Sequence, residues 1–349
     1  MNRKLAVLVM CAVVATPMAR TALAQSIRPV VLAEPTDMFV EMTAESERAI
    51  ENALKYLAGC QLPSGAWVYS NVGPNVGVTS LALLAFLATG NVPEQGEYAP
   101  VLDRGINWIL ANAQPSGLIH YADGASHGPM YEHAAATLML SEVYGMSERP
   151  EIAAAIQAAV RVIVNAQNSE GGWRYQPFSR DADVSVTVMQ ILALRGAQHA
   201  GMVVPAETIQ QAIKYVKLCA DKGGGFYYQT RSGKPGYART GAGVASLEVC
   251  GEFDCDETRR GLDYLIANIG KDKKDEGNFH YAIYYAAQAV YQAKDFRRWQ
   301  QWFPPIREQV LGLQREGSYW ESEHGPAYGT TMMVLTLSIP CRYLPIYQR

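Results

Sequence analysis

Two kinds of apolar pattern alternate along the chain. In the first, aliphatic residues follow the i, i+3, i+4, i+7 spacing of one helix face, as in DETRRGLDYLIANIG at 256–270. In the second, nearly every position is apolar or small, as in VTSLALLAFLATG at 78–90 and VSVTVMQILALRG at 184–196. The first pattern predicts helices with one face in solvent, and the second predicts helices that are buried on all sides.

A short motif of small polar residues, one or two glycines and an aromatic residue separates the two patterns, as in CQLPSGAW and AQNSEGGWRY. The motif recurs six times, with 40 to 55 residues between successive glycines. These glycines are Gly65, Gly117, Gly172, Gly225, Gly277 and Gly317. A regular period of this length indicates a repeat protein, in which each unit holds one amphipathic and one fully apolar helix.

The end of the repeat decides between an open and a closed arrangement. An open solenoid needs terminal units with a polar outer face. The last apolar segment, 329–340, is as apolar as those in the middle of the chain, so we expect it to pack against the first unit. The sequence therefore predicts an all-α fold, an α6/α6 toroid of six outer-inner helix pairs closed into a ring, as a single domain over 43–349 with almost no β-sheet.

The N-terminus has the pattern of a signal peptide. Two basic residues precede an apolar run at 5–15, and Ala22-Leu23-Ala24 has the small residues of a cleavage site. We expect a signal peptide over 1–24, an N-terminal extension over 25–42, and export to the periplasm or the extracellular space. No later stretch has the roughly 20 consecutive apolar residues of a membrane span, so none is expected after cleavage.

The charge of the chain limits the classes of partner, and its cysteine content limits the disulfides. The net charge is −3 and no stripe of Lys and Arg is present, which argues against a nucleic-acid partner. Cleavage would leave five cysteines, an odd number that does not indicate a disulfide framework. Cys250 and Cys255 are close enough in sequence to pair, and the sequence leaves open whether they do.

A ring of inner helices encloses an axial cavity, and the turns before these helices would bring their N-terminal ends to one mouth. Helix N-termini carry unpaired N–H groups and a partial positive charge, so polar residues there are the candidates for ligand binding. These candidates are Tyr131, His133, Asp183, Ser185, Thr187, Arg239, Thr240, His280, Tyr281 and Tyr328. Asp183 and His280 are also the candidate catalytic residues, although the position of Asp183 favours a helix N-cap over catalysis.

The repeats with glutamine before the Gly-aromatic turn, as in AQNSEGGW and LQREGSYW, resemble those of the squalene cyclase and protein prenyltransferase β-subunit superfamily. The chain looks most similar to exported bacterial proteins described as prenyltransferase and squalene-oxidase repeat proteins. The resemblance covers all six units and implies the terpenoid cyclase-like α/α toroid. It implies two chemistries, each of which depends on residues at the starts of inner helices.

Neither chemistry is matched by the residues present. Squalene-type cyclases carry Asp-x-Asp-Asp-Thr, whose middle aspartate protonates an alkene, and the chain has Asp183-Val184-Ser185-Val186-Thr187 instead. A serine hydroxyl cannot serve as that acid. Protein prenyltransferases hold zinc with Asp, Cys and His, for which Asp183 and His280 are available, but Ser185 again occupies the cysteine position. We therefore expect no metal or other cofactor, and the sequence leaves open whether the protein is an enzyme.

Three functions fit the predicted ring. The leading hypothesis is a protein that binds an apolar or amphiphilic small molecule, such as an isoprenoid, or a protein segment. The alternative is a carbohydrate-active enzyme, a polysaccharide lyase or glycoside hydrolase, which would need two carboxyl groups about 5 to 10 Å apart. The candidate pair is Asp183 and Glu132. If both carboxylates face the cavity, the enzyme is favoured. If both face backbone N–H groups, the ligand-binding protein is favoured. The third is a purely structural protein with a filled axis.

Overall fold

A computed structural model describes residues 42–348, apart from 125–127, 148, 231 and 271–277. These described residues lie in one compact unit. The predicted signal peptide at 1–24 lies outside them, as does the extension at 25–42 except for its last residue.

The described residues form twelve α-helices that alternate along the chain between an outer and an inner ring. The outer helices are α1 (Ala44–Cys60), α3 (Ala99–Ala111), α5 (Pro150–Ala166), α7 (Ala206–Leu218), α9 (Asp256–Ala267) and α11 (Phe296–Gly312). The inner helices are α2 (Val76–Ala88), α4 (Pro129–Tyr144), α6 (Val184–His199), α8 (Tyr237–Val249), α10 (Phe279–Gln292) and α12 (Pro326–Ser338). Within the same residues, the β structure is one short antiparallel hairpin of β1 (Val68–Tyr69) and β2 (Gly73–Pro74), together with isolated bridges in the turns. The prediction of an α6/α6 toroid with almost no sheet is confirmed.

Burial follows the two sequence patterns. In the outer helix α9, the buried residues are Thr258, Gly261, Leu262 and Leu265, which share one face. In the inner helix α2, every residue is buried except two residues four positions apart, Gly77 and Leu81. Residues four apart lie on the same side of a helix, so the inner helix is covered everywhere except along one narrow strip.

The ring closes between the last and the first unit. Each inner helix packs against the next, and α12 packs against both α2 and α1. The glutamines that follow the outer helices make the same contact around the ring: Gln61 and Gln167 donate from Nε2 to a carbonyl of the next outer helix at 2.9 and 2.8 Å. Gln314 donates to the carbonyl of Ala49 at 3.0 Å, so the contact that joins neighbouring units also joins unit six to unit one.

The Gly-aromatic turns of units one to four pack closely against the next outer helix. Gly171 has φ +93°, and a Cβ built on it would lie 2.3 Å from the carbonyl oxygen of Gln211. Gly65 and Gly224 are held in the same way. In the repeats with consecutive glycines, the residue equivalent to Gly65 is therefore Gly171 or Gly224, one position before the markers Gly172 and Gly225 chosen from the sequence.

Two further points from the sequence concern a membrane span and a disulfide. No helix in the part of the chain that the structure describes combines the length and the apolar character of a membrane span. Cys250 and Cys255, whose pairing the sequence left open, are both free thiols.

The tight turn generates a prediction about stability. Gly171→Ala should lower the free energy of unfolding by about 2 to 5 kcal/mol, because the added methyl group disfavours positive φ and also displaces a neighbouring carbonyl. The measurement is urea denaturation of the full chain. Gly201→Ala is the control, since Gly201 has φ +80° but open space around its Cβ position, and it should lose only about 1 to 2 kcal/mol. Equal losses in the two variants would contradict the close approach.

Candidate functional site

An axial cavity of about 950 Å³ lies inside the ring, and all six inner helices contribute to its lining. The loops that line it are those that lead into the inner helices, so the mouth lies at the N-terminal ends of these helices. At the other end of the inner ring, Ile346 and Tyr347 of the C-terminal segment are buried. The hydroxyl of Tyr347 lies 3.2 Å from that of Tyr284, which itself lines the cavity.

Most of the lining residues on the inner helices form two layers one helical turn apart, which corresponds to about 6 Å along the axis. The upper layer lies nearest the mouth and consists of Gly77, Tyr131, Ser185, Arg239, Tyr281 and Tyr328. The lower layer lies four residues further along five of these helices and consists of Leu81, Ala135, Met189, Tyr285 and Met332. The upper layer is mainly polar or aromatic, and the lower layer is mainly apolar.

Asp183 lies immediately before α6 and is completely buried. Its Oδ1 accepts the N–H of Val186 at 2.8 Å, so Asp183 is the N-cap of this helix. Its Oδ2 faces Arg174 Nε at 3.6 Å. Burial raises the pKa of Asp183 to about 6, although the Val186 N–H and Arg174 both act to lower it. The residue sits behind the upper layer, next to Ser185 on α6, and does not itself line the cavity.

Arg174 contacts both Asp183 and two tyrosines of the cavity wall. Its guanidinium lies 4.7 Å from the ring centre of Tyr175 and 5.5 Å from that of Tyr228, and the two tyrosine hydroxyls are hydrogen-bonded to each other. Both tyrosines line the cavity. Arg174 and these tyrosines are not among the residues expected from the sequence, because they lie in loops before the inner helices, where no periodic pattern shows which way a side chain points.

Glu132 is buried at the start of α4 and lines the cavity. Its Oε2 accepts backbone N–H groups of Val76 at 3.3 Å and Tyr121 at 3.4 Å. Its Oε1 lies 3.2 Å from Nδ1 of His120. Each of the two carboxylates singled out from the sequence therefore has an oxygen bound to a backbone N–H group, and Glu132 in addition lines the cavity.

Besides Asp183 and His280, three more of the candidate residues do not line the cavity: His133, Thr187 and Thr240. These three have a shared role. They accept the backbone N–H of a residue in the Gly-aromatic turn. Oγ1 of Thr187 accepts the N–H of Trp173 at 3.1 Å, and Oγ1 of Thr240 accepts the N–H of Phe226 at 3.0 Å. Thr79 and Thr330 make the same contact in units one and six. The buried N–H of each turn needs an acceptor, and the inner helix supplies it.

His133 performs this role in unit two. Its Nδ1 accepts the N–H of Ile119 at 3.0 Å, and its Nε2 lies 3.1 Å from the carbonyl of Ala159. Burial lowers the pKa of His133 to about 4, so the ring is neutral, with its proton on Nε2. This histidine connects a turn, an inner helix and an outer helix.

His280, the second catalytic candidate, also does not line the cavity. Its ring is hydrogen-bonded to the backbone of Glu321, and burial together with the nearby His324 lowers its pKa to about 4. Among the histidines that the structure describes, the one that lines the cavity is His324. His280 therefore supports the loop that carries His324.

His324 is part of a hydrogen-bonded group at the junction between α12 and α2. Its Nδ1 lies 2.8 Å from the hydroxyl of Tyr69, and its Nε2 lies 3.5 Å from Oε1 of Glu323. We call these three residues the junction site, and all three line the cavity. Tyr69 and His324 are 255 residues apart in sequence, and analysis of the sequence did not pair them.

The residues do not fit the zinc site of the protein prenyltransferases. Asp183 is occupied as an N-cap and His280 is bonded to a backbone group. Among the described residues, no three or more His, Cys, Asp or Glu side chains are grouped so that they could hold a metal ion.

No model of a known protein family and no curated protein sequence matches the chain. Solved structures do match it. Cellobiose 2-epimerase from Bacillus thermoamylovorans superposes with a TM-score of 0.64 and 14% identity, over 84% of this chain and 98% of the epimerase. An α-1,6-mannanase from Salegentibacter sp. gives a TM-score of 0.62 and 9% identity, over 86% and 99% of the two chains.

A type II terpene cyclase from Scytonema superposes with a TM-score of 0.58 and 11% identity, over 86% of this chain and 100% of the cyclase. The chain has the α/α toroid fold of the terpene cyclases. Solved structures include a variant of this cyclase in complex with its substrate geranylgeranyl dihydroxybenzoate and an inactive variant of the mannanase in complex with α-1,6-mannotriose.

The buried Asp183 generates a prediction about pH. Its pKa is raised in the folded state from an ordinary value of 3.8 to about 6, so the folded toroid binds this proton more tightly than the unfolded chain does. The contribution of Asp183 to the free energy of unfolding should therefore decrease as the pH rises from about 4 to about 6, by up to about 3 kcal/mol.

Asp183→Asn keeps an N-cap oxygen but removes the titration, so its stability should lack this part of the pH dependence. Urea denaturation at intervals from pH 4 to pH 7 measures the difference between wild type and variant. Asp183→Ala is the companion variant, which should also lose about 1 kcal/mol at every pH because the cap is gone. An unchanged pH slope in Asp183→Asn would show that Asp183 is not the group responsible.

Proposed function

We propose that the protein binds an amphiphilic small molecule in the axial cavity, with the apolar part in the lower layer and the polar part near the mouth. The observation that carries the proposal is the change in polarity along the axis. The lower layer presents Leu81, Met189 and Met332, whereas the residues at the mouth include Arg239 and Glu323. A ligand with one apolar and one polar end would match both regions at once.

The tyrosines support this orientation. Tyr281 and Tyr285 lie with ring centres 4.5 Å apart on one wall, and Tyr131 lies 5.9 Å from Tyr175 on another. A tyrosine ring offers a large apolar surface, and its hydroxyl can bind a polar group. Such walls suit an isoprenoid or another long apolar chain that ends in a hydrogen-bonding group.

The size of the cavity supports the same class of ligand. A volume of about 950 Å³ is at the upper end of the range for small-molecule sites in proteins. A terpene cyclase with the same fold binds geranylgeranyl dihydroxybenzoate, which joins an apolar chain to a polar ring. The proposal includes export of the protein, based on the N-terminal pattern, and it includes no metal or other cofactor.

Proton-initiated cyclisation of the family type is not part of the proposal. Ser185 stands where the catalytic aspartate would be, and it lines the cavity near Tyr281. Asp183 faces the Val186 N–H and Arg174 from behind this layer. The carboxylic acids near the cavity are therefore held by the protein itself, which supports ligand binding over this chemistry.

A carbohydrate-active enzyme is the second candidate. Glu132 favours it, because this carboxylate lines the cavity and lies beside His120, and tyrosine rings can stack on sugars. An epimerase and a mannanase share the fold. The bonds from Glu132 to the backbone N–H groups of Val76 and Tyr121 favour binding of the amphiphile as the first candidate.

Filling the lower layer tests the proposal. Ala135→Phe should reduce the bound fraction of ligand at least about tenfold, because the added ring occupies the space for the apolar chain. The measurement is native mass spectrometry of the purified full chain after incubation with a total lipid extract, where wild type should retain an amphiphile at one per chain.

Ala154→Phe is the matched control, since it adds the same ring to an exposed position on the outer helix α5 and should leave binding unchanged. Incubation with manno- and cello-oligosaccharides is the second arm. Retention or turnover of an oligosaccharide without retention of lipid would overturn the proposal in favour of the carbohydrate-active enzyme. Lipid retention that is the same in Ala135→Phe and wild type would place the ligand outside the cavity.

A further inference from the structure

The junction site lies where the ring closes and has a rigid frame. The β1–β2 hairpin carries Tyr69, and the N–H of Ser70 donates to the carbonyl of His324 at 2.9 Å. The rings of Tyr69 and His324 are stacked with centres 5.5 Å apart. Tyr328 packs edge-on against His324 at 5.1 Å. The imidazole is therefore held between two tyrosines, and its position relative to the Tyr69 hydroxyl is defined by packing as well as by the hydrogen bond.

The neighbours of His324 determine where its proton lies. Glu323 is close to Nε2, and a carboxylate at this nitrogen favours the tautomer that carries its proton there. Nδ1 then accepts, so the hydroxyl of Tyr69 donates to it. Burial and the charge of Glu323 raise the pKa of Tyr69, so the phenol keeps its proton. A phenol that donates its proton in this way presents its oxygen as an acceptor.

The charges around the cavity are distributed unequally. Glu323 belongs to the junction site, and Glu132 lies on α4, next to α2 in the ring. The guanidinium in the upper layer, that of Arg239, lies on α8, three inner helices away from α2. A phosphate or carboxylate at the junction site would meet carboxylates, whereas an uncharged hydroxyl would not be repelled.

We propose that the junction site binds the hydroxyl group of an uncharged alcohol or phenol, which donates a hydrogen bond to Tyr69 Oη. The inference rests on the proposed function, because it assigns the polar end of the amphiphile to one side of the mouth. Tyr69 is the binding residue, and His324 is a positioning residue that acts through the Tyr69 proton. The apolar chain of the ligand then extends from the junction site into the lower layer.

Matched probes separate the hydroxyl from the chain. Farnesol and farnesene share an apolar chain of similar length, and farnesyl diphosphate adds charge to the same chain. The dissociation constant of each for the full chain is measured by isothermal titration calorimetry. Wild type should bind farnesol about three- to tenfold more tightly than farnesene, as expected for one neutral hydrogen bond, and the diphosphate should gain nothing from Tyr69.

Three variants test the assignment of the residues. Tyr69→Phe keeps the ring but removes the acceptor, so the preference for farnesol over farnesene should fall to about one while the affinity for farnesene is retained. His324→Leu should reduce the preference as well, and His324→Asn should restore part of it, since the amide oxygen can replace Nδ1 as an acceptor. Tyr227→Phe is the control, because Tyr227 lies outside the cavity lining and its hydroxyl donates to Asp221 at 2.6 Å.

The outcomes distinguish this inference from the proposed function. Equal affinity of wild type for farnesol and farnesene would overturn the assignment of the junction site but leave amphiphile binding intact. Equal weakening of both probes by Tyr69→Phe would also overturn it, because the tyrosine would then act only through packing. Failure of all three prenyl probes to bind would remove the proposed function itself.

Discussion

The inner helices are apolar nearly all round, so each must be covered by other parts of the chain except along the narrow strip that faces the cavity. This requirement determines the architecture. Outer helices cover one side, neighbouring inner helices cover two more, and the end of the series has to meet its beginning. The contact from Gln314 to the carbonyl of Ala49 repeats at that junction the contact that Gln61 and Gln167 make within the series. Closure therefore uses the same geometry as the repeat itself and needs no special segment.

Closure also creates the cavity. Six helices arranged in a ring leave space on the axis, and small residues such as Gly77 and Ala135 leave part of that space unfilled. In the five units whose turns the structure describes, the N–H of a turn residue binds a hydroxyl or an imidazole on the first turn of the inner helix and fixes its start, as Trp173 does with Thr187. Because the starts are fixed at equivalent positions, residues of successive helices meet in layers. The upper layer is mainly polar or aromatic and the lower layer is mainly apolar, so the cavity changes from a polar mouth to an apolar interior.

The helical repeat explains which candidate residues reached the cavity. Successive residues in a helix are rotated by about 100°, so two positions correspond to about 200°. Since Tyr131 and Ser185 face the axis, His133 and Thr187 must face away from it, toward the turns. The position of Ser185 in the cavity was therefore accessible from the sequence once the fold was assigned. Whether Ser185 or Thr187 faces the cavity depends on how the helix is rotated about its own axis. The nearly uniform apolar pattern of an inner helix does not encode this rotation.

By itself, the sequence determined the helix types, the six units and the closed ring, because each depends on periodicity along the chain and on the requirement to cover apolar surface. It also identified Asp183 as an N-cap, which is a local interaction with Val186. Only the tertiary structure decided which loops meet across the ring: Tyr69 with His324, and Arg174 with the rings of Tyr175 and Tyr228. These contacts join residues from different units, and a pattern of polar and apolar positions carries no information about which distant polar side chains will become neighbours.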